Sequence, residues 1–188
     1  LSHAEIKIVT LSEGEINELH VGLKGTMNAL FLKDLAIKTK RGQRGRVEAG
    51  KIPGGNSYGY NIIRQLKDDG TVTTGEREIN VEHAAIIKRI FEEYAACKSP
   101  RKIAAALNAE CIPSPRGGQW NASTINGSRQ RRNGILNNEL YLGRITYNRQ
   151  RFIKDPETGK RRSRLNPEHE WVVTDVPHLR IIDDDVWN

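Results

Sequence analysis

Apolar positions change their spacing from segment to segment, and each change marks an element. Alternation through Ile6, Lys7, Ile8 and Val9 predicts a short strand that stops near Ser12–Gly14. Glu15–Val21 is expected as a short helical stretch. Thr26 then reads as the N-cap of a long helix from Met27 to about Ala49. Met27, Leu30, Phe31 and Leu35 recur at three- and four-residue spacing and predict one apolar face. After Ile37 that helix turns basic, and Gly42, Gly45 and Gly50 weaken it by up to ~1 kcal/mol each. Lys51–Ser57 (KIPGGNS) breaks any helix and reads as a linker. Tyr58–Arg64 and Thr71–Ile79 are expected as strands around an Asp69–Gly70 turn. Asn80 caps a helix over Val81–Ala96, with Ala84, Ile87, Ile90, Phe91 and Tyr94 as its inner stripe. Ser99–Pro100 opens the next, which buries Ile103, Ala104 and Leu107 and ends near Glu110. Asn121 starts a third, predicted over 122–133. Arg144–Phe152 is extended, Lys154–Arg162 is a turn, Glu170–Val173 is its partner strand, and Asp183–Asp185 begin another helix. The fold class predicted is α+β, mostly helical, with a long N-terminal helix and β-hairpins.

Charge sharpens this picture. The 188 residues carry 30 Lys+Arg against 23 Asp+Glu, a net +7. Residues 1–37 hold three Lys and five acids, so the excess lies downstream. Lys38, Lys40, Arg41, Arg44, Arg46 and Lys51 face Glu48 alone. A second block, 144–164, includes Arg144, Arg149 and Arg151, and Arg129, Arg131 and Arg132 form a short cluster between. Blocks of this kind are the footprint of a polyanionic partner. Aromatics are only 6%, which favours duplex over stacked single strands. No stretch is apolar enough to span a bilayer. Two cysteines, Cys97 and Cys111, make neither a disulfide framework nor a zinc ribbon, so a cytoplasmic setting is expected. No secretory signal is visible, and a chain starting at Leu1 reads as a fragment.

Residues 100–110 and 122–133 resemble a helix-turn-helix with a long connection, and the basic hairpin after them would be a wing. Asn121, Ser123, Thr124 and Asn126 then reach base edges, while Arg129, Arg131 and Arg132 meet phosphates. Arg116 sits in a loop read as a backbone contact. Trp120 reads as a core residue plugging the helix pair. GxSxG and SxxK are absent, and the five His are scattered without ligand spacing, so neither metal nor cofactor is expected. Asp183, Asp184 and Asp185 read as helix-start carboxylates rather than a nuclease site.

The run ELHVGLKGTMNALFLKDLAIKTKRGQRGRVEAGK, followed by the Gly-rich linker and YGY, resembles the end of the catalytic domain of the large serine recombinases (the resolvase/invertase family). The later runs SPRKIAAALNAECIPSPRGGQWNASTI and GILNNELYLGRITYNR resemble that family's DNA-binding domain. The resemblance implies 1–50 as catalytic-domain remainder with a dimerisation helix, 51–57 as linker and 58–188 as the DNA-binding domain. It implies site-specific recombination through a phosphoserine–DNA link, without metal or energy cofactor, by a homodimer that becomes a tetramer in the synaptic complex. The nucleophile is expected upstream of Leu1, so this piece is expected to bind DNA without cutting it. Lys38 matches a basic active-site position, and Ile37 replaces the family's acid. Met27, Leu30, Phe31 and Leu35 fall in the dimer interface. Cys111 stands where the family usually has a left-handed Gly. The family's downstream zinc ribbon and coiled coil are not in this sequence. The alternative is a non-catalytic winged helix-turn-helix transcription regulator.

Overall fold

The computed structural model describes residues 8–11, 14–16, 18–66 and 68–187; the expected strand start at Ile6 lies outside them. The chain divides into two compact units, 1–42 and 43–188.

In the first unit, β1 (Ile8–Thr10) and β2 (Gly14–Ile16) pair antiparallel, with Ile8 opposite Ile16. They lead into α1 (Glu18–Glu48), one continuous helix of 31 residues where the sequence predicted two. Thr26 is not its cap. The Thr26 hydroxyl donates to the Gly22 carbonyl one turn back at 3.0 Å, which satisfies it inside the helix. All described side chains over 19–42 are exposed, Met27, Leu30, Phe31 and Leu35 among them. Leu19, Leu32 and Ile37 are equally exposed, so the apolar positions are not confined to one stripe.

The last turn of α1 belongs to the second unit. Val47 is fully buried, and the Tyr147 hydroxyl donates to Gln43 Oε1 at 2.9 Å. Gly50, at φ +70°, ends the helix, with its N–H on the Val47 carbonyl and the Lys51 N–H on that of Arg46. The 51–57 segment is irregular but tied down. The buried Arg77 donates to Asn56 Oδ1 and to the carbonyls of Gly54 and Gly55.

β3 (Tyr60–Ile62) and β4 (Arg77–Ile79) pair with Tyr60 opposite Ile79. They are shorter than predicted because the Thr73 side chain and backbone both bond Gln65, making an irregular rung. Then come α2 (Val81–Ala95), α3 (Pro100–Ala109) and α4 (Ala122–Asn126). Asn80 accepts the His83 N–H and Ser99 that of Lys102, as N-caps should. Ala84, Ile87, Ile90 and Phe91 are buried as predicted, but Tyr94 is 49% exposed. Phe91 takes the inward place near that end, stacked on Trp187 and edge-on to Tyr141.

Both α2 and α3 close with a left-handed cysteine. Cys97 has φ 61° and Cys111 φ 57°. Each is followed by an N–H that reaches back to the helix, Lys98 to Glu93 and Ile112 to Leu107. A side chain there costs ~1–2 kcal/mol, partly offset by glycine's larger unfolded-state entropy. Cys97→Gly and Cys111→Gly are each expected to stabilise the protein by about 0.5–1 kcal/mol. A higher urea midpoint at unchanged m-value is the check; a lower midpoint would refute it.

α4 has only five residues, against a prediction of 122–133. It stops at Gly127 (φ 49°, ψ −134°), and the chain folds back so that Ser128 and Asn133 exchange backbone bonds. Four strands follow: β5 (Arg144–Tyr147), β6 (Gln150–Lys154), β7 (Arg161–Leu165) and β8 (Val172–Asp175); α5 (Asp184–Trp187) ends the unit. The extended run splits in two at Asn148, which is left-handed at φ 61°. β6 therefore pairs with β7, and β5 with β8, instead of one hairpin closed by 170–173. The buried Asn166 holds the crossing by donating to the Asn148 carbonyl at 2.8 Å. The whole is α+β: a long helix, small helices and two-stranded antiparallel pairs. One core runs from Val47 through Ile87, Ile103, Leu107, Trp120 and Ile125 to Tyr141, Leu179 and Ile182.

Candidate nucleic-acid interface

The connection between α3 and α4 is long, yet it is anchored. Trp120, 2% exposed, donates from Nε1 to the Ile112 carbonyl at 3.1 Å. Asn108 brackets its backbone, accepting the Trp120 N–H at 2.7 Å and donating to its carbonyl at 2.9 Å. Trp120 thus fills the core, as read from the sequence, and fixes the loop before it. In that loop a tight turn joins Ser114 to Gly118, with the Gly117 N–H on the Ser114 carbonyl. The turn presents Arg116.

Between this loop, the start of α4 and the 127–134 turn lies an open groove of about 730 Å³. Arg116, Asn121, Ser123 and Thr124, all singled out in the sequence, line it together. Asn121 precedes α4, but its side chain makes no capping bond and stays available to the groove. Ser57, Ser114, Gln119, Ser128, Asn133 and Asn138 add hydroxyls and amides that sequence reasoning missed. For Ser114, Gln119, Ser128 and Asn133 the density of polar residues in IPSPRGGQW and GSRQRRNG was the signal; Ser57 and Asn138 had none. Tyr58 and Tyr141 contribute the aromatic lining. Tyr58 stacks on His83 at 4.2 Å and meets Trp120 edge-on at 5.4 Å. Burial pushes its phenol up to about 12, so the ring stays neutral. No Asp or Glu lines the groove, and Arg116 makes no ion pair among the described residues. Its chemistry is that of a donor-rich surface without a competing carboxylate.

The other expected contacts divide. Asn126 does not line the groove; its carbonyl accepts from Asn137. Arg129 and Arg131 are exposed on the turn next to it. Arg132 is engaged inside the protein. Its guanidinium pairs with Glu139 and Glu168 and lies 4.6 Å from the Trp171 ring centroid. Glu139 also accepts the Thr146 hydroxyl. Arg149 donates to the Arg132 carbonyl at 2.7 Å, and burial pulls its guanidinium below the usual range. These two arginines therefore hold the turn and the hairpin base in place. Arg144 pairs loosely with Asp175 at 3.4 Å. Along α1, Lys38 pairs with Asp34 and Arg44 with Glu48, while Lys51 meets Glu76. Lys40, Arg41 and Arg46 make no ion pair among the described residues. Arg180 pairs with Asp183 and Asp184. Among the described residues, no group of three or more His, Cys, Asp and Glu is placed to hold a metal, and no helix is long and apolar enough to cross a membrane.

The groove thus sits in an α+β module and presents neutral donors around one arginine that is outside any ion pair among the described residues. The family model described as Recombinase matches residues 81–188, more than half of the chain and nearly all of the groove's lining, and the chain belongs to that family. Neither the curated proteins nor the solved structures returned a match.

Proposed function

We propose that this chain is the duplex-DNA-binding part of a site-specific serine recombinase. The observation that carries this is the carboxylate-free groove in which Arg116, Asn121, Ser123 and Thr124 converge inside the family-matched region. Amide and hydroxyl side chains are the groups that read base edges in a major groove, and arginines fix register on the phosphates. Asn121, Ser123 and Thr124 take the first role; Arg116, Arg129 and Arg131 take the second. Along α1, Lys40, Arg41 and Arg46 supply further backbone contacts, with Lys38 and Arg44 reached by exchange of their exposed intrahelical partners for phosphate. Lys51 and Arg144, both paired across the chain, and Arg151 complete the basic set. Met27, Leu30, Phe31 and Leu35, apolar and exposed, support a second copy on α1, and through it the dimer and tetramer of the synaptic complex. The part played here is binding and assembly; no groove residue is assigned as a nucleophile. The serine chemistry rests on the resemblance of 18–60 alone.

The test is duplex binding across a salt series. Arg116→Ala is expected to weaken all duplexes alike and lower the salt slope by about one. Asn121→Ala is expected to cost about 1–3 kcal/mol on the preferred sequence and little on a scrambled one. Lys88→Ala, exposed on α2, serves as the control. A chain that ignores duplex at low ionic strength would overturn the proposal.

A further inference from the structure

The β6–β7 hairpin is pinned at its base and bare along its length. Asn166 is buried there at 5% exposure: its N–H donates to the Arg149 carbonyl and its side-chain amide donates to the Asn148 carbonyl. The Trp171 indole donates to the Asn166 carbonyl, and Arg149 is itself anchored on Arg132. Beyond that knot every residue of β6 is exposed, as are four of the five in β7. An isolated two-stranded ribbon has little stability of its own in water.

Its register makes this stranger. Arg151 lies directly opposite Arg164, and Ile153 opposite Arg162. Side chains alternate between the two faces of a strand, so Arg151, Arg164, Ile153 and Arg162 share one face. Directly opposed residues have Cβ atoms only ~4.5–5.5 Å apart, and like charges there destabilise a ribbon. Arg162 is neutralised by Asp155 at 2.8 Å, but Arg151 and Arg164 make no ion pair among the described residues. A recess of about 410 Å³ adjoins Arg164, lined by Ile153, Lys154, Arg162 and the acidic Asp155 and Glu157; Asp155 is taken up by Arg162. Two facing arginines outside any ion pair among the described residues, on a rigidly based arm, suit a ligand that brings its own negative charge.

We propose that this face of the hairpin is a second DNA contact, separate from the groove, in which Arg151 and Arg164 together clasp the phosphate backbone of the duplex. This rests on the reading of the chain as a duplex-DNA binder. The arm reads no sequence, since guanidinium–phosphate contacts position without specifying. It adds affinity and salt dependence. The cross-strand repulsion is the structural cost of keeping both charges on one spot.

The experiment pairs binding with stability on the full chain. In Arg151→Gln/Arg164→Gln the slope of log K against log salt should fall by about two, with on the order of tenfold weaker binding to preferred and scrambled duplexes alike. In Arg164→Glu the new cross-strand pair should raise the melting temperature while binding weakens further. A merely structural arginine pair would not move the two readouts in opposite directions. Lys88→Gln is the charge control. If the unmodified chain binds duplex but both hairpin variants keep its slope and affinity, the clasp is refuted and the groove reading stands. Loss confined to the preferred sequence also refutes it, because a base contact would then be involved. Failure of the unmodified chain to bind duplex, including retention by anionic vesicles instead, overturns both.

Discussion

Gly127→Ala is expected to lower stability by about 3 kcal/mol or more and to abolish groove-dependent duplex discrimination. The residue sits at φ 49°, ψ −134°, a region essentially closed to side chains. A Cβ there would overlap the Asn133 carbonyl and crowd the Gly134 Cα at 2.7 Å. Both are backbone, so neither can swing aside. Relief requires opening the 127–134 turn, which removes the wall carrying Ser128 and Asn133 from the groove. Gly117→Ala is the comparison. It too has positive φ, +79°, but its Cβ would meet nothing within 4 Å. It should cost only ~1 kcal/mol, the price of a left-handed side chain. Urea unfolding of the two variants decides the matter. Equal losses would mean that the backbones of Gly127 and Asn133 do not approach as described.

Trp120→Ala is expected to cost about 3–5 kcal/mol, the range for deleting a large buried aromatic. The side chain is 2% exposed and packs against Tyr58. Its removal leaves a cavity between α3, α4 and the loop, and leaves the Ile112 carbonyl without its 3.1 Å donor. Trp120→Phe keeps most of the apolar volume and loses mainly the hydrogen bond, so a loss nearer 1–2 kcal/mol is expected. Because Trp120 also holds the Ser114–Gly118 turn through Asn108 and Ile112, the Ala variant should weaken duplex binding even where it remains folded. A loss below 1 kcal/mol for Trp120→Ala in denaturant titration would show that the loop, not the indole, carries that packing.

Four of the residues that line the groove stood out in the chain before the fold was known, and the reasons are local. Asn121, Ser123 and Thr124 stand beside a helix start, and Arg116 stands in a Pro/Gly turn; both features are signalled within a few residues. The internal partners of Arg132 and Arg149 were not readable, for the opposite reason. A cluster of arginines looks the same whether it faces solvent or carboxylates. What distinguishes Arg132 is the half-buried Glu139, brought against it by the fold, together with Glu168, 36 positions away, and Trp171. Thr26 misled because a hydroxyl after Gly25 resembles a cap, and only the continuation of α1 through Glu18 shows otherwise.

The amino-acid sequence alone determined the cap-to-cap frames of α2 and α3, the buried stripes Ala84–Phe91 and Ile103–Leu107, the Trp120 plug and the excess of positive charge. Capping, periodicity and composition act over a turn or two of chain, and nothing distant overrode them here. The tertiary structure alone decided how far α4 runs, which strand pairs with which, and which arginines remain open to a ligand. Those outcomes turn on close approaches between backbones, such as Gly127 against Gly134, and on partners brought together from far apart, such as Asn166 with Asn148 and Arg151 with Arg164. Burial and charge pairing are properties of the folded neighbourhood, and no local spacing rule encodes them.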